Sequence, residues 1–405
     1  MAAGLRSILY PISIYNLPSG SKYIPLRREG QYGASTEQKR YTALIDEAGG
    51  YLMIKTLHVE NFRCYESLDL HGLKRINVIV GKNASGKTAL LESIFLAAGG
   101  SPELAMRLRV FRGMGRQTLI SADRMSFESV LRDLFFSLDQ TKKIVLRIMG
   151  SDENTASLQI SYSDQNVLTL PLEMKNGTSV AGIYPLDFKW KDHAGKETKG
   201  SIRFGGDKGF EVDQIIDTVR CAFFSPGADT PPQEHATRFS DLSVRDKLEP
   251  FLKAVIDEFS FIKGLSLEIV GGITMIHASL HGISGKLPLG SVSSGVMKFL
   301  YLLLAIATYG KGVILVDEIE NGFYYDRLPQ LWSRLSSFCQ ENECQLFVTT
   351  HSLECLNAML DTVEKNQDQF SLIRTTRDNQ NRIGASVFSG KALTSLIRQG
   401  LDPRG

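Results

Sequence analysis

The sequence predicts an α/β protein with a mixed, largely parallel core sheet, an antiparallel β lobe and an inserted helical region. Three observations lead there. Gly81-Lys82-Asn83-Ala84-Ser85-Gly86-Lys87-Thr88 reads G-x-x-x-x-G-K-T, between a β-branched run at 75–80 and apolar residues at helical spacing over 89–96. The apolar run 313–316 ends in Asp317-Glu318, and a second run, 345–348, ends in Thr349-Thr350-His351-Ser352. Runs that are apolar at every position suit strands buried on both faces of a parallel sheet.

The first element is a strand, a glycine loop and a helix, the order that phosphate binding requires. Glycines let backbone N–H groups turn inward as an anion nest, and the helix N-terminus adds positive potential. Lys87 is placed to reach the β- and γ-phosphates, and the Thr88 hydroxyl to hold Mg²⁺. A buried parallel strand delivers its last residues to the ligand edge of the sheet. Asp317 would there hold Mg²⁺ and Glu318 would polarise the attacking water as general base. His351, at the end of a third core strand, can hydrogen-bond a phosphate or that water. Ser352 is a helix cap for the segment through Leu353, Leu356 and Leu360. A second serine-glycine helix start, 290–298, opens an apolar helix and is another anion site.

The remaining elements follow in order. Residues 1–52 carry many breakers and no steady period, and Met53 is the expected natural start. Residues 54–60 alternate as a half-exposed strand and 67–70 return as a second. Between them Arg63 is either a surface arginine or a nucleotide contact, and His58 is an exposed strand residue. Residues 100–135 are helical and rich in arginine (Arg107, Arg109, Arg112, Arg116, Arg124, Arg132). They read as a solvated face, with a phosphate or nucleic-acid contact as the alternative. Short alternating strands at 143–148, 157–162 and 167–170 form the antiparallel lobe, within an insertion over 123–285. A buried strand is expected at 221–226, an amphipathic helix at 243–258, a hairpin at 264–280, strands near 370–375 and 384–388, and a last helix at 391–399.

Composition narrows the class. The chain has 405 residues, 43% hydrophobic and 22% charged, with a formal net charge of +2. That near-neutral total offers no electrostatic case for nucleic acid or acidic lipid. None of the five cysteines sits in a C-x-x-C pair, which fits reduced thiols in a cytoplasmic protein and argues against a zinc site. The longest apolar run, 299–308, is about half the length that spans a bilayer.

Together these motifs resemble the ATP-binding-cassette (ABC) type of AAA family ATPase. Within it they are similar to chromosome-maintenance and repair heads and to the OLD (overcoming lysogenisation defect) ATPases, over residues 53–405. The resemblance implies a P-loop NTPase head that binds ATP with Mg²⁺ and hydrolyses ATP to ADP and phosphate. It also implies a head-to-tail homodimer, in which Ser293 and Gly295 of one subunit meet the γ-phosphate held by the other. Residues 319–322 resemble the D-loop that crosses such an interface. The signature reads S-S-G-V-M-K instead of L-S-G-G-Q/E, Phe323-Tyr324-Tyr325 stand where relatives carry His or Pro, and Gln117 is the Q-loop candidate. Too few residues follow His351 for the Toprim nuclease of OLD proteins, so an effector would be a separate protein. The implied function is an ATP-driven switch in bacterial antiviral defence or DNA repair. The alternatives are a repair head acting on DNA itself, a transporter energy subunit, and a scaffold that binds ATP without turnover.

Overall fold

The described residues open on a hairpin of β1 (Thr56–Phe62) and β2 (Tyr65–His71). The structure, a computed structural model, describes residues 53–99, 101–113, 130–151, 154–163, 185–204, 210–212, 221–226, 230–399 and 402–404. The N-terminal extension, the strand expected at 167–170, and Arg116, Gln117 and Arg124 lie outside the described residues. β3 (Ile76–Val80) then runs into the glycine loop and α1 (Lys87–Gly99), followed by α2 (Pro102–Phe111). The antiparallel strands are β4 (Ile144–Met149), β5 (Thr155–Tyr162), β6 (Leu186–Lys191), β7 (Glu197–Phe204) and β8 (Phe210–Val212).

β9 (Cys221–Phe224) returns to the core. The helix expected at 243–258 is α4 (Leu248–Glu258), and a separate helix, α3 (Pro232–Val244), precedes it. Asp246 between them takes a left-handed φ of 56°, which stops the first helix. The hairpin of β10 (Ile262–Val270) and β11 (Ile273–Leu280) turns at Gly271-Gly272 and adds β12 (Lys286–Pro288). Then come α5 (Ser294–Thr308), β13 (Val313–Val316), α6 (Leu328–Glu341), β14 (Gln345–Thr349), α7 (Leu353–Ala358) and α8 (Leu360–Lys365). β15 (Phe370–Arg377), β16 (Ile383–Ser389) and α9 (Gly390–Arg398) complete the described elements.

The core sheet has the order β16-β15-β3-β14-β13-β9, parallel except for β16 at its edge. Its side chains divide by alternation between two apolar cores. Ile79, Leu315 and Phe347 face the antiparallel sheet, whereas Val78, Val80, Ile314, Val316, Leu346 and Val348 face α5 and α6. The antiparallel sheet runs β2-β1-β4-β5-β6-β7-β8, so the N-terminal hairpin and the strands after residue 143 form one sheet. α1 touches strands of both large sheets. That position explains why every residue from Ala89 to Gly99 is buried, where helical spacing suggested a single apolar face. No helix among the described residues is long and apolar enough to cross a membrane.

Buried polar side chains join the sheets. Gln345, fully buried, accepts from the Ile54 N–H at 2.8 Å and donates to Ile54 O and Lys74 O at 2.8 and 2.7 Å. This holds the entry of β1 against the start of β14. Gln345→Leu leaves the Ile54 amide and carbonyl without partners, and each such buried group costs about 1–3 kcal/mol. The urea midpoint should fall by the equivalent of about 3 kcal/mol at unchanged slope. A loss below about 1 kcal/mol would mean that water fills the vacated places.

Candidate functional site

The glycine loop is shaped from outside as well as by its own sequence. Gly81 has φ 149°, and a Cβ there would lie 2.4 Å from Thr375 Oγ1 and 2.5 Å from Thr375 O, so only glycine fits. Thr375 Oγ1 donates to Val80 O at 3.1 Å and lies 2.6 Å from Ser85 Oγ. Arg377 donates to Ala84 O at 2.8 Å, and Tyr65 Oη to Gly86 O at 3.2 Å. Lys82, Asn83 and Ala84 are exposed, while Gly81 and Ser85 are buried. Lys87 Nζ donates to Gly81 O at 2.8 Å and Lys82 O at 3.0 Å, with no carboxylate at ion-pair distance among the described residues.

The parallel sheet brings the acidic pair to this loop. Thr88 Oγ1 donates to Asp317 Oδ2 at 3.0 Å, and Thr349 Oγ1 donates to Asp317 Oδ1 at 2.5 Å. The Glu318 N–H donates to the same Thr349 oxygen at 2.8 Å. Glu318 has a left-handed φ of 51°, an uncommon backbone state that turns the chain sharply after β13. Asn321 Nδ2 donates to Glu318 Oε2 at 2.5 Å. Burial pushes the Asp317 carboxyl up, and the hydrogen bonds from Thr349 and Thr88 offset only part of that push. Burial likewise lowers Lys87.

A cavity of about 470 Å³ is lined by residues 83–89, Arg63, Cys64, Arg112, Asp133, Asp317 and Glu318. A smaller one of about 230 Å³ adjoins it across Thr88, Asp317 and Glu318, with Glu92 and Arg112 in its wall. Arg63 is not a surface arginine. Its side chain is 7% exposed and pairs with Glu92 at 2.9 Å and Asp133 at 2.5 Å. Its Nη2 is buried and has no hydrogen-bond partner among the described residues, and Arg63 lines this cavity. The arginine-rich helix is also not simply a solvated face. Arg109 is buried against Asp133, and Arg112 holds the buried Glu92 through two bonds, at 2.8 and 3.0 Å. Arg107, by contrast, is half-exposed and pairs with Glu103 one turn away. His58 is half-buried and lies 2.7 Å from Asp69, so the expectation of an exposed side chain needs that correction.

The residues present fit a magnesium nucleotide. A hydroxyl and a carboxylate 3.0 Å apart, Thr88 and Asp317, are hard oxygen donors of the type Mg²⁺ takes. Beside them lie a lysine bound only to loop carbonyls and an arginine with a spare donor. His351 Nδ1 lies 3.9 Å from Glu318 Oε1 but 3.1 Å from Glu320 Oε1, and the His351 N–H also donates to Glu320 at 3.0 Å. Ser352 caps α7 by accepting from the Cys355 N–H at 3.0 Å. Ser293 is exposed at the tip of α5, and neither it nor Gly295 lines the cavity of its own chain. A Cβ on Gly295 would lie 2.3 Å from Gly322 O, so this glycine lets the loop after β13 pass over the helix tip.

Sequence reasoning missed Thr349, Glu320 and Thr375. Thr349 carried a signal as a hydroxyl at the end of a core strand, and Glu320 lay within the segment read as a D-loop without a role of its own.

A family model described as "AAA ATPase domain" matches residues 53–237, and one described as "AAA domain, putative AbiEii toxin, Type IV TA system" matches residues 232–357. An ATP/GTP phosphatase of Helicobacter pylori is 23% identical over 368 residues, covering 83% of this chain and 96% of that protein. The DNA replication and repair protein RecF of Clostridium acetobutylicum is 43% identical over 49 residues, 12% of this chain and 14% of that protein. Among solved structures, an Smc head bound to the C-winged helix domain of ScpA aligns with a TM-score of 0.45 at 15% identity, covering 83% of this chain and 97% of that one. The SMC head domain from Thermotoga maritima aligns at 0.37 and 13%, covering 83% and 98%.

Thr349→Val removes the oxygen shared by Asp317 and the Glu318 amide while keeping side-chain volume. Loss of such an orienting partner lowers activity about 10- to 100-fold. Steady-state ATP turnover should fall by that factor, and a wild-type rate would show that the carboxylates hold their places unaided.

Proposed function

We propose that this chain, matched by two AAA ATPase domain models, works as an ATP-hydrolysing, nucleotide-dependent switch that closes head to tail on a second copy. One observation carries the reading. The glycine loop, Thr88, Asp317 and Glu318 border one cavity, and Thr349 bonds both carboxylate-bearing residues at once. Lys87 would leave its loop carbonyls for the β- and γ-phosphates, with Arg63 Nη2 as a further donor. Thr88 and Asp317 would hold Mg²⁺, which neutralises charge on the phosphate oxygens as they separate. Glu318 would take the proton of the attacking water. His351, oriented by Glu320, would donate toward the transferred phosphate.

Ser293 and Gly295 complete the site in a neighbour. Ser293 is the N-cap of α5 with extended backbone and no bond from its side chain to its own helix, so its hydroxyl is free for another acceptor. ATP bound by one subunit then joins two, and hydrolysis separates them. A separate effector in bacterial defence or DNA repair would read that state. The supports are the ATPase domain models and the relative named as an ATP/GTP phosphatase.

Glu318→Gln should still bind ATP, turn it over about 10²- to 10⁴-fold more slowly, and accumulate an ATP-dependent dimer by light scattering. Turnover at the normal rate would remove the general-base role. Ser293→Arg places a bulky cation at the tip of α5. ATP binding by the monomer should persist while the ATP-dependent dimer disappears. A dimer that survives with normal turnover would rule out the shared site.

A further inference from the structure

Lys298 lies on α5, one turn beyond Gly295, and its ammonium does not reach solvent-exposed acids. Nζ donates to Glu318 O at 2.9 Å, Ile319 O at 3.2 Å and Asn321 O at 2.8 Å. An ammonium has three donors, and all three are used on the backbone of one loop. The same ammonium sits 5.6 Å from the centre of the Phe323 ring. Burial lowers its pKa to about 8, the cost of placing a cation there. Next to it, Gly322 O is packed against Gly295 so closely that no side chain fits between them.

This loop is tied at its first residues to the end of β14 by the Glu318 N–H to Thr349 Oγ1 at 2.8 Å, the Ile319 N–H to Thr349 O at 3.0 Å and the His351 N–H to Glu320 at 3.0 Å, with Ile319 buried in the core. It begins with Glu318 in the left-handed region and holds itself by two local bonds, Asn321 N–H to Glu318 O at 3.1 Å and Phe323 N–H to Glu320 O at 3.1 Å. What Lys298 adds is to gather three of the loop's carbonyls on one ammonium. We propose that Lys298 is a positioning residue for turnover: by binding these carbonyls it holds the backbone turn that aims Glu318, and it joins that turn to the helix whose tip carries Ser293. The proposal rests on Glu318 as general base. It deepens that reading by making the helix tip and the base of one subunit a single rigid piece. A contact of the tip with a neighbour's nucleotide is thereby transmitted to the subunit's own Glu318.

The test compares Lys298→Met, which keeps the apolar stem and removes the donors, with Lys298→Arg and with the double variant Lys298→Met/Glu318→Gln. ATP affinity, read with a fluorescent ATP analogue, should change less than about threefold. The turnover number should fall about 10- to 100-fold, as for loss of other orienting partners. Lys298→Arg, still a multiple donor, should recover part of that loss. The double variant should be no slower than Glu318→Gln alone, because the lysine acts through that residue. Should the Met variant fail to fold, Lys298→Gln, with fewer donors, replaces it and should fall between Arg and complete loss. Normal turnover in Lys298→Met or Lys298→Gln, or additive losses in the double variant, would overturn the proposal while leaving the base assignment intact. Normal turnover in Glu318→Gln alone would overturn both.

Discussion

The geometry of the site depends on one hydroxyl. Thr349 Oγ1 is buried at the end of β14, where it accepts a hydrogen bond from the Glu318 backbone and donates one to Asp317. Asp317 in turn accepts from Thr88 with its other oxygen. A buried polar atom without a partner is costly, so this chain of bonds forms whole or not at all. It spans three places distant in sequence: the start of α1, the end of β13 and the end of β14. The parallel order β3-β14-β13 puts these within reach, and the hydroxyl turns adjacency into fixed distances.

Around this centre the protein has buried charge as well as apolar bulk. Arg63, Arg109 and Arg112 share Glu92 and Asp133, so three guanidinium groups meet two carboxylates and leave one positive charge. Burial works against the Asp133 charge, yet Arg109 and Arg63 hold its carboxyl below the usual range. Buried ion pairs seldom add net stability, because desolvation consumes most of the Coulombic gain. Their use here is positional: a net cation beside the glycine loop favours a polyanion in the adjoining cavity.

Much of the fold was legible because its core strands are buried on both faces. Continuous apolar runs ending in Asp317-Glu318 and in Thr-Thr-His-Ser announce both strand and site edge, and the glycine loop announces its ligand class. Three kinds of information were not legible. Burial of α1 on every side depends on a second sheet packing over it, which no local period reports. Arg63 and Arg109 look like ordinary surface residues until their partners, Glu92 and Asp133, are brought in from elsewhere in the chain. Thr375, Lys298 and Glu320 act through backbone atoms or one other side chain, and no short motif encodes that.

The buttress under the glycine loop has a consequence for how the protein is made. Ser85 leans on Thr375, 290 residues away, and Ala84 is held by Arg377, 293 residues away. Contacts of such separation close late, since the loop-closure entropy must be met first. A chain emerging from the ribosome carries its phosphate motif early, yet the mould that shapes this motif arrives only with β15. The loop therefore takes its final shape only once β15 has joined the core sheet, however early its own residues are made.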